Sequence, residues 1–297
     1  MSGIIDGKAR AKAIREEIKT EVKALKKDEG ITPKLAVILV GENPASEAYV
    51  RGKEKACTEV GIESPLYRFP TEIKEEEILK LIEKLNADPT VHGILLQLPL
   101  PKGLDAIKLL AAILPEKDVD GLHPYNMGKL FKGEDPLFVP CTPQGIMDLL
   151  LSTGAEIKGK KAVVIGRSNL VGKPIAMLLL FAHATLTMCH TRTKNLKAET
   201  LAADILVAAA GKPRMITKGM IKPGAIVIDV GISRTKEGLC GDVDFDGAKD
   251  VASYITPVPG GVGPMTVAML LRNTVAAAKR VAKGEGPSPK VLSVISP

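Results

Sequence analysis

Aromatic side chains are scarce in this chain of 297 residues: Phe, Trp and Tyr together make up 3% of it, and tryptophan is absent. Proteins that grip single-stranded nucleic acid stack its bases on aromatic rings, so this composition argues against that class. Cysteine is also sparse, and Cys57, Cys141, Cys189 and Cys240 lie far apart, without a CxxC pair or any metal-ligand spacing. Four reduced thiols fit a cytoplasmic protein. No uninterrupted apolar run reaches membrane-spanning length. The first ten residues lack the apolar stretch of a secretory signal, and the acids Asp6, Glu16 and Glu17 speak against a mitochondrial presequence. Long runs of basic residues are missing too, although the formal net charge is +7. A solvated lysine-rich surface accounts for most of that excess, and what remains suits a small anionic substrate or cofactor. The expectation is therefore a cytoplasmic protein with no membrane, nucleic-acid or metal partner.

What is present is ordinary for a globular chain: 45% hydrophobic and 25% charged residues, over a length that suits two domains. In residues 6–27, Ala9, Ala13, Ile14, Ile18, Val22 and Leu25 recur at helical spacing. The pattern then predicts a strand at 34–40, a turn at Gly41-Glu42-Asn43-Pro44, a helix at 46–60 closed by Gly61, a short strand at 65–69, a helix at 74–85, a buried strand at 91–97 and a helix at 105–113. Such alternation implies a parallel sheet with covering helices. A loop rich in Gly, Pro and Asp spans 115–142, and a helix at 143–153 leads into a second α/β unit. Its strands are expected at 162–165, 185–189, 205–209, 226–230 and 253–255, with a final helix at 265–283. The tail from Gly284 onward reads as loose. There is no internal repeat.

The densest signal is Pro257-Val258-Pro259-Gly260-Gly261-Val262-Gly263-Pro264-Met265-Thr266, with three prolines and three glycines. That composition forbids regular structure. A rigid loop here delivers the chain to a helix N-terminus, whose free N–H groups can meet a polar ligand. A packed turn between domains is the plainer alternative.

The segment 161–166 is a strand that runs into the turn Gly166-Arg167-Ser168-Asn169-Leu170-Val171-Gly172-Lys173-Pro174 and then a helix. A glycine turn that sets phosphate against a helix N-terminus is the logic of a dinucleotide site. The spacing meets GxGxxG only in part, and a simple strand-turn-helix is the competing reading. The next strand tells the cofactors apart. An NAD site carries Asp or Glu at its end for the ribose hydroxyls, whereas 185–189 runs into His190-Thr191-Arg192-Thr193 without an acid. Hydroxyls and arginines, Arg167 included, suit a 2′-phosphate, so NADP is favoured over NAD.

In the first unit Tyr49 and Lys53 are four residues apart on a predicted helix and share a face. Such a pair moves protons if desolvation lowers the lysine pKa; a surface contact is the plainer reading. Gln97, at a strand end just before Pro99, is able to hold that lysine. Asp118-Val119-Asp120-Gly121 offers carboxylates in what otherwise reads as a solvated turn. His92, His123, His183 and His190 form no metal cluster, and Ser168 and Ser233 lack a partner pattern for nucleophilic catalysis.

Together these segments resemble the bifunctional methylenetetrahydrofolate dehydrogenase/methenyltetrahydrofolate cyclohydrolase family, the FolD proteins. The likeness runs from Ile5-Asp6-Gly7 to Arg272. It is carried by Ala48-Tyr49-Val50-Arg51-Gly52-Lys53, Gly93-Ile94-Leu95-Leu96-Gln97-Leu98-Pro99-Leu100-Pro101, Lys117-Asp118-Val119-Asp120-Gly121, Gly166-Arg167-Ser168 and the proline-glycine loop, in that order. The resemblance implies two α/β domains with parallel sheets, the second Rossmann-like, with the last helix returning to the first. It implies a folate-binding catalytic domain at 1–140 plus 265–297 and an NADP-binding domain at 141–264. Two reactions follow: oxidation of 5,10-methylene-tetrahydrofolate by NADP⁺, then hydrolysis of the methenyl product to 10-formyl-tetrahydrofolate. Lys53 is expected to be the acid/base of the hydrolysis, aided by Gln97. Tyr49 would orient the folate and Asp120 would hydrogen-bond its pterin, while Leu98, Pro259, Gly260 and Gly263 line the folate side. Gly166, Arg167, Ser168, Thr191, Arg192 and Ile232 would meet the cofactor. A homodimer is also implied.

Two other classes compete. A two-domain NADP dehydrogenase of a small acid, of the shikimate dehydrogenase sort, leaves Gln97-Leu98-Pro99 and the proline-glycine loop unexplained. A non-enzymatic NADP sensor leaves Tyr49, Lys53, Gln97 and Asp120 without a purpose.

Overall fold

The computed structural model describes residues 3–284. The chain opens with the short strand β1 (Gly3–Ile4) and the helix α1 (Gly7–Glu29). Asp6 caps α1 by accepting the Ala9 N–H at 2.9 Å, and Gly30, in the left-handed conformation, ends it. Ala11, Ile14, Ile18, Val22 and Leu25 form its buried stripe, and each large aliphatic side chain there stabilises the fold by roughly 1.5–3 kcal/mol.

The first sheet holds β2 (Leu35–Val40), β3 (Leu66–Phe69) and β4 (Gly93–Leu96) in the order β3-β2-β4, all parallel. All of β2 is buried, as expected for a central parallel strand covered on both faces. Helix α2 (Pro44–Val60) joins β2 to β3, α3 (Glu75–Ala87) joins β3 to β4, and α4 (Ala106–Ala112) follows β4. Ile78, Ile82, Leu85 and Leu109 cover one face of this sheet, against Ile38, Ile94 and Leu96.

Helices α5 (Pro124–Lys132) and α6 (Cys141–Ser152) lead to the second sheet. Its strands are β5 (Lys161–Ile165), β6 (Thr185–Cys189), β7 (Ile205–Ala208), β8 (Ile226–Asp229) and β11 (Tyr254–Ile255), with β1 added at the edge. The order β1-β11-β8-β7-β5-β6 is parallel throughout. Counted within the second unit the order is 2-1-3-4-5, a doubly wound sheet whose switch point lies between β5 and β7. Helix α7 (Gly172–Phe181) follows β5, α8 (Leu196–Leu201) follows β6, and the antiparallel hairpin β9 (Ser233–Thr235) and β10 (Gly238–Cys240) follows β8, ahead of the single turn α9 (Phe245–Ala248).

The last helix, α10 (Val262–Lys283), packs along α1 and α6. Arg10 on α1 grips Asp148 on α6 through two bonds of 2.6 and 3.1 Å, and one hydrophobic core runs through all three helices into the second sheet. No helix among the described residues is long and apolar enough to cross a membrane.

The elements differ from the sequence expectation in places. The stretch 115–142 is not a plain loop, because α5 stands inside it, started by Pro124 and capped by the His123 ring. Its nine residues include Gly128, and so short a helix leaves little periodicity to read. Helix α6 begins at Cys141, two residues early. The hairpin β9–β10, α8 and α9 were not anticipated, nor was β1, which pairs with β11 in the second sheet. The tail expected to be loose, residues 285–297, lies outside the described residues.

Candidate active site

Helix α2 begins where β2 ends. Asn43 caps it by accepting the N–H groups of Ala45 and Ser46 at 3.0 and 3.2 Å. Two turns in, Tyr49 and Lys53 share one helix face at different depths: Tyr49 is 41% exposed and Lys53 8%. The buried ammonium donates to Gln97 Oε1 at 2.9 Å. Gln97 stands just beyond the end of β4, and its Nε2 donates to the Leu98 carbonyl. That second bond turns the amide oxygen toward Lys53. The Leu98–Pro99 peptide is cis.

Burial pulls Lys53 below the ordinary lysine range, and the Asp120 carboxylate opposes that pull. Asp120 is itself raised by burial and held back by Lys53. Burial also raises the Tyr49 phenol and lifts Cys141 well above the usual thiol range. The loop that carries Asp120 is anchored twice. Asp118, buried, accepts N–H groups from Leu122, His123 and the Asn126 side chain at 3.0, 2.8 and 2.8 Å. Asn273 on α10 donates to the Val119 carbonyl at 2.8 Å. A lysine whose charge is disfavoured, fixed by an amide that can accept from the ammonium or donate to the amine, is suited to proton transfer.

Above Tyr49 opens a cavity of about 820 Å³. The start of α2 and Tyr49 form one wall, and Pro257 to Pro264 the other. Ile232, Arg234 and Leu239 close it from the second unit. The proline-glycine loop is tied to α1 through the Lys8 N–H, which donates to the Gly260 carbonyl at 2.8 Å. A ligand in this cavity touches both units, the usual situation of a small-molecule site.

A second set of residues gathers at the C-terminal ends of β5 and β6. Gly166 has φ 115°, and a Cβ there would lie 2.1 Å from the Ala209 carbonyl oxygen, so only glycine fits this turn. The Ser168 hydroxyl accepts the N–H groups of Val171 and Gly172 at 3.1 and 3.3 Å and fixes the entry to α7. Arg167, Thr191 and Arg192 are exposed beside it. A turn opened by a glycine, a helix N-terminus and two exposed arginines match the demands of a dinucleotide with an extra phosphate.

Two family models match the chain: tetrahydrofolate dehydrogenase/cyclohydrolase, catalytic domain, over residues 5–120, and tetrahydrofolate dehydrogenase/cyclohydrolase, NAD(P)-binding domain, over residues 140–282. The bifunctional protein FolD of Geobacillus thermodenitrificans is 58% identical over 280 residues, which are 94% of this chain and 98% of that protein. The chain belongs to the tetrahydrofolate dehydrogenase/cyclohydrolase family. The crystal structure of the FolD enzyme from Campylobacter jejuni has a TM-score of 0.93 at 50% identity, over 94% of this chain and 99% of that one. The FolD structure of Trypanosoma brucei, complexed with NADP cofactor and inhibitor, gives 0.90 at 42% identity, over 94% and 98%. The two parallel sheets and the Rossmann-like second unit agree with these tetrahydrofolate dehydrogenase/cyclohydrolase structures. Membership of this enzyme family sets aside both competing readings.

Of the residues expected at the site, Tyr49, Ile232, Pro259, Gly260 and Gly263 line the one cavity. Lys53, Gln97 and Leu98 form a hydrogen-bonded group between the middle of α2 and the chain just after β4, and Asp120 acts on Lys53 through its charge. Gly166, Arg167, Ser168, Thr191 and Arg192 lie at the other sheet and are not in the cavity wall. Ile232 thus belongs to the cavity, apart from the remaining expected cofactor residues. Asn43, Asp229, Arg234 and Leu239 also line the cavity and were missed. For Asp229 the signal was present: an acid at the end of an apolar run. Arg234 and Leu239 sit on a hairpin too short to read.

Proposed function

We propose that the two reactions of this family, oxidation of 5,10-methylene-tetrahydrofolate and hydrolysis of the methenyl product to 10-formyl-tetrahydrofolate, share the cleft between the two units. The observation that carries this reading is the buried Lys53–Gln97 pair one helical turn along α2 from Tyr49, which lines an 820 Å³ cavity.

The folate lies between Tyr49 and the loop 257–264, with its pterin toward Asp120 and Leu98. NADP⁺, when bound, takes up the hydride that the one-carbon bridge gives up. Gly166, Arg167, Ser168, Thr191 and Arg192 hold it, and the two arginines select the 2′-phosphate form over NAD⁺. Oxidation leaves a delocalised cation on the bridge carbon, so the chain's own task in that step is to hold and orient its reactants. Hydrolysis asks for more. As water adds to the cation, Lys53 takes one of its protons; the carbon–N5 bond then opens as the new hydroxyl gives up its proton to become the formyl carbonyl and N5 gains one. Gln97 holds Lys53 in both protonation states. The cationic substrate itself helps to keep the amine neutral.

We assign the folate side to 1–140 with 265–297, apart from β1, which is lent to the second sheet, and the nucleotide side to 141–264. A cytoplasmic homodimer completes the reading, supported by the family resemblance; sedimentation equilibrium tests the dimer. The decisive assay mixes the protein with methylene-tetrahydrofolate and either NADP⁺ or NAD⁺ and follows the reduced nucleotide, while methenyl-tetrahydrofolate alone reports the hydrolysis. Both activities are expected, with NADP⁺ strongly preferred. Loss of either activity, or equal use of the two nucleotides, overturns the corresponding part.

A further inference from the structure

Two buried carboxylates stand at the C-terminal edge of the second sheet, and neither has a role in the reactions above. Asp229, 2% exposed, ends β8; Asp242, 0% exposed, lies beyond the hairpin β9–β10. Neither is paired with a cation among the described residues. Each is satisfied by backbone N–H groups instead. Asp229 accepts those of Gly231 and Asp242 on Oδ1 at 3.0 and 2.9 Å and that of Val243 on Oδ2 at 2.9 Å. Asp242 accepts those of Ala210 and Gly211 on Oδ2 at 2.6 and 2.9 Å and that of Lys212 on Oδ1 at 2.7 Å. Charged acceptors make such bonds short and strong, and a buried carboxylate without them is costly.

Besides the N–H groups of Asp242 and Val243 themselves, the donors belong to two particular loops. Residues 210–212 follow β7, and Gly231 follows β8. Doubly wound sheets bind their ligand at these strand ends, next to the switch point. The loop after β7 is also the surface on which the Gly166 turn rests, since a Cβ on Gly166 would meet the Ala209 carbonyl. The loop after β8 continues into Ile232, which lines the cavity. The packing leaves no slack: a Cβ on Gly231 would lie 2.3 Å from Asp242 Oδ1, and one on Gly241 1.9 Å from Asp229 Oδ2. The Lys53–Gln97 pair shares no hydrogen bond with this network.

We infer that Asp229 and Asp242 are positioning residues for nucleotide binding, Asp242 for the dehydrogenase step alone: through the loops after β7 and β8 they hold the nucleotide shelf in its binding shape before the nucleotide arrives. This rests on the functional reading given above. Asp242 is the residue to change, because Asp229 also lines the cavity and its replacement would disturb the folate side directly. Asp242→Asn keeps the shape but turns an amide NH₂ toward N–H groups that need an acceptor. NADPH affinity, measured by calorimetry, is expected to fall by about tenfold or more, given the strength of hydrogen bonds to charged groups. kcat/KM for NADP⁺ should fall with it. Hydrolysis of methenyl-tetrahydrofolate, run without nucleotide, should stay within about twofold of wild type, because its acid/base pair lies outside the network.

Unchanged NADPH affinity in the variant, or equal loss of both activities in folded protein, overturns the inference. Wild-type protein that binds no NADPH overturns the functional reading and this inference with it. Hydrogen exchange on the wild type gives a check that does not depend on the variant folding. The amides of residues 210–212 and 231 should exchange as slowly without NADPH as with it. Fast exchange that slows only on NADPH addition would mean that the nucleotide, not the carboxylates, shapes the shelf.

Discussion

Replacing Lys53 by Met tests the hydrolysis chemistry most directly. Met keeps roughly the length and apolar stem of the lysine and removes its proton. Lys53 is 8% exposed and makes a 2.9 Å bond to Gln97, so the change falls inside a packed site. It leaves Gln97 Oε1 without its donor and Asp120 without its cation, at a cost of about 1–3 kcal/mol. The variant no longer has to bury an ammonium, which offsets part of that cost. The melting temperature should therefore move by only a few degrees, roughly 2–4 °C for each net kcal/mol in a protein of this size class. A positioned acid/base contributes about 10²–10⁴ to a rate, equivalent to about 3–5 kcal/mol of barrier. Hydrolysis of methenyl-tetrahydrofolate should fall by that factor. Oxidation of the methylene compound, which asks only for positioning, should fall by less than about tenfold. Both are read by absorbance, with folate binding and thermal melting as controls. A folded Lys53→Met protein that binds folate and still hydrolyses the methenyl compound within about threefold of wild type would show that Lys53 is not the base.

Three further outcomes are expected. Changing Arg167 and Arg192 together to Ala should raise KM for NADP⁺ and leave that for NAD⁺ nearly unchanged; a parallel rise in both would mean that these arginines do not read the 2′-phosphate. Gly166→Ala forces a Cβ to 2.1 Å from the Ala209 carbonyl at φ 115°, a conformation that costs about 1–3 kcal/mol even without the clash; NADPH binding by calorimetry should be lost while folded protein retains hydrolysis. Burial raises Asp118 to about 7 in the folded state, above the ordinary carboxylate value of the unfolded chain, so between about pH 4 and pH 7 the native state holds the extra proton and its contribution to stability grows as pH falls. Urea unfolding should accordingly show the stability of wild type relative to Asp118→Asn increasing from pH 8 to pH 5, and a difference that shrinks over that range would contradict the burial effect.

Much of the scaffold was legible in the residues alone. The apolar runs at 35–40, 93–96, 162–165 and 205–208 became strands within a residue or two of their expected limits, because buried parallel strands need continuous apolar sequence. Helices α1 and α2 were bounded by Asp6, Asn43, Gly30 and Gly61, whose capping chemistry is local. Tyr49 and Lys53 shared a helix face by spacing alone, and the Gly166 turn stood out by its position between strand and helix. Short elements were not legible. Strand β1 exists only because β11 offers a partner across some 250 residues, and α5 is held by the Asn126–Asp118 bond and by its packing on α7 rather than by periodicity. The depth difference between Tyr49 and Lys53 comes from the packing of α2 against α1, α10 and β2, and no local pattern encodes it. The carboxylate network is the clearest case. Asp242 is an unremarkable acid in the sequence and Asp229 shows only as an acid that ends an apolar run, and their meaning depends on backbone N–H groups supplied by loops up to 32 residues away. Sequence carries what nearest neighbours along the chain enforce, namely period, caps and turns; burial, pKa and the meeting of distant loops arise only when the two sheets close on one another.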